Sequence, residues 1–233
     1  MTFPLYVFDA YGTLFDVHSA VARHADLIGP QAKTLSDLWR TKQLEYTWTR
    51  SLMGAYRDFD AVTGDALDFA AARSGGITAD ARGKLLKAYE TLDAYPDAAP
   101  ALAALRAQGA KCVILSNGTS RSLERAVRSA GLQDWLDESL SVDALRIFKT
   151  APAAYQLVCD RYGVAPDKVS FQSSNRWDVA GAKKFGFRTV WINRTGAPDE
   201  YADLPPAAAI ADLSGLPGVL TKKEPPEEPA AQV

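Results

Sequence analysis

The stretch LYVFDAYGTLFD, residues 5–16, indicates how the chain begins to fold. Its four apolar residues, 5–8, predict a short buried strand, and Asp9 follows directly at the carboxyl end of that strand. Gly12 permits a tight reversal of the chain, after which the hydroxyl of Thr13 could hold an oxygen of Asp9. The stretch therefore predicts a carboxylate at the tip of a buried strand.

Beyond residue 95, short apolar runs alternate with helical patterns, several of which end at a glycine. The predicted strands cover 112–115, 139–142, 169–172 and 189–192. The predicted helices cover 97–108, 119–130, 150–162 and 178–185. Short apolar strands that alternate with helices are typical of a parallel sheet covered on both faces. The pattern thus predicts an α/β fold with a doubly wound, Rossmann-like core.

The segment between the first strand and residue 95 shows helical patterns and no strand pattern. The clearest helix is predicted at 31–53, where Leu35, Leu38 and Trp39 form an apolar stripe. Further helices are predicted at 17–28, 56–74 and 78–91. We therefore assign residues 1–14 and 95–220 to the core and residues 15–94 to an inserted all-helical cap. The tail, 221–233, is rich in Pro and Glu and is predicted to be disordered.

The composition favours an ordinary globular protein. Of the 233 residues, 47% are apolar and 23% are charged, and the net charge of −2 without a basic block argues against binding to nucleic acid. No apolar run is long enough to span a membrane, and the N-terminus does not have the pattern of a signal peptide. The cysteines, Cys112 and Cys159, are predicted to be buried and reduced, which favours a cytoplasmic location. Both histidines, His18 and His24, are predicted to be structural or exposed, because they share no helical face.

Polar residues follow several of the predicted strands, where open parallel sheets bind their ligands. Asp9 follows the first strand, Ser116 and Asn117 follow the second, and Ser173 and Asn175 mark the end of the fourth. We expect these side chains to converge on one edge of the sheet. An inserted segment that begins just after Asp9 would lie over the same edge of the sheet as a lid and exclude water.

Asp9 is a candidate nucleophile, because a carboxylate can displace a leaving group and form an ester that water later cleaves. The simpler alternative is an Asp that caps the turn after a strand. Lys149 near Asp9 would keep the carboxylate ionised, although a Lys at a helix start is more often a solvated surface residue. Asp178 could orient a water molecule or pair with Lys149, or it could simply stabilise the start of a helix.

Ser116 and Asn117 offer donors at a helix N-terminus, which suits an anion, and plain turn or capping chemistry is the alternative. Arg40 lies in the middle of the predicted helix 31–53, near one face with Gln43 and Leu44. Its spacing alone favours a surface arginine.

Five motifs in order resemble the L-2-haloacid dehalogenases of the haloacid dehalogenase-like superfamily: FDAYGTLFDVHS, WRTKQLEYTWTRSLM, ILSNG, FKTAPAAY and FQSSNRWDVAGAKKFGF followed by WINR. The resemblance runs from residue 3 to about residue 195. It implies a hydrolase that converts short-chain L-2-haloacids into 2-hydroxy acids with inversion, through an ester on Asp9. It also implies that no cofactor and no metal are required. Close relatives are often dimers, so a homodimer remains open.

The resemblance implies roles for the matching positions. Asp9 matches the nucleophile, Lys149 its lysine partner, and Ser116 the residue that holds the substrate carboxylate. Arg40, Asn117 and Trp177 match positions that surround the departing halide, and Asp178 matches the group that places the hydrolytic water. The implied catalytic residues are Asp9, Thr13, Arg40, Ser116, Lys149, Tyr155, Ser173, Asn175 and Asp178. The implied substrate- and halide-binding residues are Ala10, Tyr11, Arg40, Leu44, Ser116, Asn117 and Trp177.

Tyr11 stands where phosphatases of the superfamily carry the second acid of a DxD motif. That acid protonates an alkoxide leaving group, whereas a halide leaves as a very weak base and needs no proton. Tyr11 therefore argues against the alternative of a small-molecule phosphatase, and so does the small number of acids available to bind Mg²⁺. A non-catalytic member that binds a carboxylate or a protein in the same cleft is the other alternative.

Two residues depart from the pattern of the superfamily. Thr150 follows Lys149 at a position that is commonly Pro, and we expect it to cap the following helix with little change in geometry. Arg176 lies within SSNRWD where smaller residues are common, and we expect it to point to solvent.

Overall fold

The computed structural model describes residue 3 and residues 5–219, so the predicted disordered tail, 221–233, lies outside the described residues. The strands are β1 (Leu5–Phe8), β2 (Lys111–Ser116), β3 (Glu138–Ser141), β4 (Val169–Ser173), β5 (Arg188–Ile192) and β6 (Ala208–Ile210). They form one parallel sheet in the order β3-β2-β1-β4-β5-β6. The winding reverses between β1 and β4, which is the arrangement of a doubly wound sheet. The predicted Rossmann-like core is confirmed.

The helices between β1 and residue 95 are α1 (Ser19–Ala22), α2 (Ala25–Ile28), α3 (Ala32–Met53), α4 (Phe59–Arg73) and α5 (Ala79–Tyr89), with a 3₁₀ turn at Gly29–Gln31. Leu35 and Trp39 of α3 are buried, as the apolar stripe predicts. The single helix predicted at 17–28 is wrong, because the chain forms two helices of 4 residues there. Since α2 buries none of its residues fully, little packing supports a longer helix there.

The chain enters and leaves this helical segment side by side. Phe15 pairs with Ala94 across an isolated bridge. Asp16 N donates to Asp93 O at 2.8 Å, and Tyr95 N donates to Leu14 O at 2.9 Å. Two adjacent chain segments close to Asp9 therefore connect the all-helical cap to the core. The domain boundaries, 14/15 and 94/95, stay predictions.

The remaining helices are α6 (Ala98–Ala107), α7 (Ser120–Ser129), α8 (Pro152–Tyr162), α9 (Arg176–Phe185) and α10 (Leu216–Val219), with 3₁₀ turns at Asp143–Leu145, Pro166–Lys168 and Leu213–Gly215. Gly163 and Gly186 follow α8 and α9 in the left-handed conformation, as their positions predict. The capping role expected of Thr150 is wrong. Ala151 is the N-cap of α8 and makes no side-chain cap bond, because Pro152 fixes the start of the helix one residue later.

The core is formed by the strands and the helix faces that cover them. Tyr6, Val7 and Phe8 of β1 are fully buried, and so is Cys112 of β2. Cys112 and Cys159 are free and buried, as predicted. Among the helices of residues 5–219, none has both the length and the hydropathy needed to cross a membrane.

Candidate active site

The polar residues that end neighbouring strands lie together at one edge of the sheet, as predicted. Asp9 follows β1, and Asn175 and Asp178 follow β4, which pairs with β1 on one side. Ser116 and Asn117 come at the end of β2, which pairs with β1 on the other side. Because β1 lies between both partners, these side chains surround Asp9.

Asp9 is buried, and three side chains donate hydrogen bonds to its carboxylate. Thr13 Oγ1 and Asn175 Nδ2 donate to Oδ2 at 2.9 and 2.8 Å. Lys149 Nζ donates to Oδ1 at 3.1 Å. Gly12, with a φ of +93°, makes the reversal that brings Thr13 back to Asp9. The predicted contact of Thr13 with Asp9 is confirmed, and the three donors together fix the orientation of the carboxylate.

Lys149 is buried between two carboxylates, so the interpretation as a surface residue is wrong. Its Nζ lies 3.1 Å from Asp9 Oδ1 and 2.8 Å from Asp178 Oδ2. Burial alone would lower the pKa of Lys149, but the carboxylates of Asp178 and Asp9 outweigh it and raise the pKa above its usual value. One buried ammonium group therefore serves both acids, as the predicted pairing of Asp178 with Lys149 requires.

Asp178 combines burial with two hydrogen-bond donors. Tyr155 OH donates to its Oδ1 at 2.8 Å, and Lys149 Nζ donates to its Oδ2 at 2.8 Å. Burial raises the pKa of Asp178 to about 6, against the opposing effect of Lys149 and with a further increase from Asp9. Burial also raises the pKa of Tyr155 well above its usual value, so that its hydroxyl stays a donor. A carboxyl group that titrates near neutrality is suited to accept a proton from water.

The other predicted polar residues are buried and partly bound to the backbone. Asn117 Oδ1 accepts from Lys149 N at 2.9 Å, and Ser116 Oγ accepts from Gly118 N at 3.1 Å. Ser173 Oγ accepts from Asn175 N at 3.1 Å. These bonds use acceptor positions, so the hydroxyl of Ser116 and the amide of Asn117 keep their protons for a ligand.

Arg40 of α3 reaches the site from the cap, so the interpretation as a surface residue is wrong. Its Nη2 donates to Tyr11 O at 3.0 Å and to Asn175 Oδ1 at 3.1 Å, and its Nη1 donates to Gln43 Oε1 at 2.9 Å. All three acceptors are neutral. Within residues 5–219 no carboxylate forms an ion pair with Arg40, so its charge has no direct ionic partner.

A buried chain of polar side chains behind Arg40 was not predicted. Gln43 Oε1 also accepts from Tyr89 OH at 3.1 Å, and Gln43 Nε2 donates to Thr63 Oγ1 at 2.7 Å. The helical spacing predicts that Gln43 lies on the same face as Arg40, but it does not indicate a role for Gln43. Tyr89 and Thr63 belong to other helices, so no spacing rule connects them to the site.

Tyr11 belongs to the apolar wall of the site. Its ring stacks on that of Tyr89, with centroids 5.7 Å apart and planes inclined by 16°. A Cβ atom on Gly118 would lie 2.8 Å from Tyr11 Cε2, so this close approach requires a glycine. Gly118 is a further residue whose role the sequence analysis missed, although the ILSNG motif contains it.

The side chains enclose a cavity of about 10 Å³, which holds about one water molecule. It is lined by Asp9, Tyr11, Arg40, Leu44, Phe59, Ser116, Asn117, Asn175 and Trp177. Thr13, Lys149, Tyr155, Ser173 and Asp178 are not part of this lining and support the residues that are. Ala10 is fully buried and does not line the cavity either. We call this space the closed cavity, because a ligand larger than water requires its walls to move.

Arg176 is buried, so the expectation that it points to solvent is wrong. Its Nε donates to Asp199 Oδ1 at 2.6 Å, and its Nη2 donates to Tyr201 O at 2.7 Å and to Leu204 O at 2.9 Å. The guanidinium group thereby fastens the loop after β5 to the start of α9. That loop has no periodic pattern from which these contacts could be predicted.

The acids of the site do not suit a divalent cation. Asp9 and Asp178 both face the ammonium group of Lys149, and Tyr11 provides no carboxylate where a second acid would stand. Mg²⁺ requires an octahedral set of oxygen ligands. Elsewhere in the described part of the chain, no group of three or more His, Cys, Asp or Glu side chains lies together as a metal site.

The family model of the haloacid dehalogenase-like hydrolases matches residues 3–186. The chain is 50% identical over 217 residues to (S)-2-haloacid dehalogenase 1 of Pseudomonas sp. (strain CBS-3), which covers 93% of this chain and 96% of that protein. It is also 50% identical over 219 residues to (S)-2-haloacid dehalogenase 4A of Burkholderia cepacia, covering 93% and 94%.

A solved structure, the L-2-haloacid dehalogenase from Xanthobacter autotrophicus with chloropropionic acid covalently bound, matches the fold with a TM-score of 0.84. The two sequences are 38% identical, and the match covers 94% of this chain and 98% of that one. Because the family model spans most of the chain and two relatives share half of its residues, the chain belongs to the haloacid dehalogenase-like hydrolases.

Proposed function

We propose that the protein hydrolyses short-chain L-2-haloacids to 2-hydroxy acids with inversion, through an ester on Asp9. The observation that carries this proposal is a buried carboxylate, held by three donors, in a closed cavity whose wall also bears the charge of Arg40. Relatives that share half of the residues are named (S)-2-haloacid dehalogenases, and a more distant one holds chloropropionic acid covalently.

In the first step, a carboxylate oxygen of Asp9 attacks the carbon that bears the halogen, from the side opposite the halogen. The new C–O bond forms as the carbon–halogen bond breaks, and the configuration at carbon is inverted. Thr13, Asn175 and Lys149 fix the orientation of the nucleophile before substrate arrives. The substrate carboxylate binds to the hydroxyl of Ser116 and to backbone groups that follow Asp9.

The departing halide lies against Arg40, the amide of Asn117 and the edge of Trp177. Positive charge and N–H donors stabilise the developing anion. No general acid is required, and the site agrees with this: burial raises the pKa of Tyr11 well above its usual value, so its phenol is a poor acid. The chemistry of the leaving group thus matches the residue found two positions after Asp9.

In the second step, water attacks the carbonyl carbon of the Asp9 ester. Asp178 accepts the proton from this water, Asn175 and Ser173 help to place it, and Tyr155 and Lys149 hold Asp178. Cleavage of the bond between the acyl carbon and the ester oxygen releases the 2-hydroxy acid, whose oxygen takes the proton back from Asp178, and Asp9 loses its remaining proton to solvent. The hydroxyl oxygen of the product therefore comes from Asp9 in the first turnover.

A small-molecule phosphatase is the alternative that the sequence leaves open, and the site disfavours it. An alkoxide leaving group needs an acid, and Tyr11 is a poor one. The ammonium of Lys149 also stands between the carboxylates that would bind Mg²⁺. Release of phosphate from p-nitrophenyl phosphate that increases with Mg²⁺ would support the phosphatase.

A homodimer completes the proposal. Leu52 and Met53 at the end of α3 are 88% and 66% exposed, and Trp48 on the same helix is also exposed. Large apolar side chains grouped on a surface favour contact with another protein. Analytical ultracentrifugation tests this: the dimer predicts twice the mass of the chain, and Leu52→Glu should shift the mass toward that of the monomer.

The most direct test of the function is halide release from each enantiomer of 2-chloropropionate in the presence of a chelator. We expect release from the L enantiomer only, undiminished by the chelator. Asp9→Asn is the matched control, because the neutral amide keeps the shape of the side chain and is a feeble nucleophile. Binding of the haloacid without halide release would instead favour a non-catalytic member of the family.

A further inference from the structure

A second cavity, which we call the vestibule, lies beside the closed cavity and has a volume of about 340 Å³. Arg40, Leu44, Asn175 and Trp177 line both cavities, so these side chains form the partition between them. Ser116 and Asn117 line only the closed cavity. The loop after β5 contributes much of the opposite wall of the vestibule.

The wall of the vestibule is rich in positive charge. Three arginines line it, namely Arg40, Arg176 and Arg194, together with the acid Glu200. Arg176 pairs with Asp199 at 2.6 Å, and Arg194 pairs with Asp97 at 3.0 Å. Arg40 has only neutral partners, so the least compensated charge of the vestibule sits in the partition.

Unpaired donors also concentrate around this cavity. Six buried side-chain atoms have no hydrogen-bond partner within residues 5–219, and three of them belong to vestibule residues: Ser174 Oγ, Arg176 Nη1 and Arg194 Nε. The Arg176 side chain is only 3% exposed. Buried donors without a protein partner are uncommon and are satisfied by water, by a ligand or by an ion. An anion suits them, because all three can donate and two are cationic.

The partition can open more easily than the core side of the site. Arg40 Nη2 reaches Asn175 Oδ1 at 3.1 Å and Tyr11 O at 3.0 Å. Both acceptors are neutral, so opening the partition breaks no ion pair. A turn of the guanidinium group would carry a bound anion from one cavity to the other.

We propose that the vestibule is an anion-binding exit through which the halide product leaves the closed cavity, with Arg40 passing it through the partition. This inference rests on the proposed function, because dehalogenation is what produces a halide beside Arg40. We assign this route to the halide and not to the hydroxy acid. Two of the residues that contact the halide, Arg40 and Trp177, line both cavities. Ser116, the carboxylate contact, does not.

Ala197→Trp tests the exit by filling it. Ala197 is an exposed residue of the vestibule wall, so a larger side chain fits without displacing the core. Ala165→Trp is the matched control. Ala165 is also exposed, but it lies before the N-terminal end of β4, whereas the site lies at the carboxyl end of that strand. With enzyme in excess over L-2-chloropropionate, acid quenching measures the ester on Asp9 as a function of time. A quinolinium dye quenched by chloride reports free halide in the same mixture.

In the parent and in Ala165→Trp, we expect free chloride to follow ester formation closely. In Ala197→Trp, ester formation should keep its rate while chloride appears about tenfold more slowly, a change of about 1.4 kcal/mol in the barrier. If free chloride appears as fast as the ester in Ala197→Trp, the proposed exit through the vestibule is wrong. An equal slowing of ester formation would also overturn it, since the vestibule would then be an entrance. Absence of any ester in the parent would instead refute the proposed function.

A second pair of variants tests the charge of the route. Thr195 is an exposed residue of the vestibule wall, and Thr195→Asp differs from Thr195→Asn by one negative charge. We expect chloride release to be about threefold slower in the Asp variant, because the anion must pass a like charge. Equal release from the two variants would contradict an anion path past this residue.

Discussion

The core side and the cap side of the site treat positive charge in opposite ways. On the core side, Lys149 is buried and lies within 3.1 Å of two carboxylates. On the cap side, Arg40 is held by an amide oxygen, a backbone carbonyl and the side chain of Gln43, all neutral. Within the described residues, Lys149 has two direct ionic partners and Arg40 has none.

The difference corresponds to what each side has to do. The nucleophile must keep one orientation, and a buried lysine held between two carboxylates provides it. Removal of one partner from a buried ion pair is strongly destabilising. An anion that arrives and departs needs a charge that no carboxylate already occupies. Arg40 supplies that charge at a lower cost to the fold.

Lys149→Met gives the largest expected effect, because it strikes both function and fold. Asp9 and Asp178 would then face each other without a cation, and the free energy of unfolding should fall by about 3–5 kcal/mol. Turnover should fall by at least about 10⁴-fold. Urea denaturation and halide release measure the two effects. Lys183→Met, an exposed lysine of α9, is the control that should change neither.

Arg40→Gln separates function from fold. Turnover should fall by about 10²–10³-fold, as expected for loss of a charge that stabilises a developing anion. The free energy of unfolding should change by no more than about 1 kcal/mol. Arg50→Gln, on the same helix and outside both cavities, should remain active. A loss of stability as large as that of Lys149→Met would remove the contrast between the two sides.

Gln43 is a positioning residue for Arg40, and a charge introduced at this position tests the comparison. Gln43→Glu would place a carboxylate where Arg40 now finds a neutral acceptor, 2.9 Å from Nη1. We expect kcat to be about tenfold lower in Gln43→Glu than in Gln43→Met, since compensation of Arg40 weakens its hold on a halide.

The pH profile gives the readout that a merely structural role of Gln43 would not move. The ratio of Gln43→Glu activity to that of the parent should increase toward low pH, because the protonated Glu resembles Gln. A ratio that is constant with pH would contradict this role.

The pH dependence of the parent enzyme gives the most graded effect. Asp178 must be ionised to accept a proton, and burial raises its pKa to about 6. Its ionised fraction therefore falls as the pH drops below that value, and kcat should fall by about tenfold for each further pH unit. The pKa of Lys149 is raised, so this group should cause no loss on the alkaline side below its usual range. Steady-state rates from pH 4 to 9 check both limbs, and an activity that is flat through pH 5 would be the contrary result.

Most of the fold was predictable because strand and helix patterns in the core are local. Short apolar runs between glycine-terminated helices mark β2, β4 and β5 within one or two residues. The edge strand β6 escaped prediction, since its three residues carry no alternation and follow two prolines. The two short helices before α3 were predicted as one, because the pattern cannot show that α2 packs against little.

The site was predictable where topology alone brings residues together. Asp9, Ser116 and Asn175 converge because their strands are neighbours. Arg176 was not, because its orientation depends on Asp199 and a loop whose course no sequence pattern gives. The same holds for the vestibule, for the buried polar side chains behind Arg40 and for Gly118, which leaves room for the ring of Tyr11. Each depends on contacts between elements distant in sequence.

A single turnover in heavy-oxygen water, with enzyme in excess over L-2-chloropropionate, tests the ester on Asp9 most directly. Mass spectrometry of the peptide that contains Asp9 should show one heavy oxygen gained by the protein, while the hydroxy acid formed remains unlabelled. Label in the hydroxy acid and none in the protein would mean that water attacks the substrate carbon directly, and the proposed mechanism would be wrong.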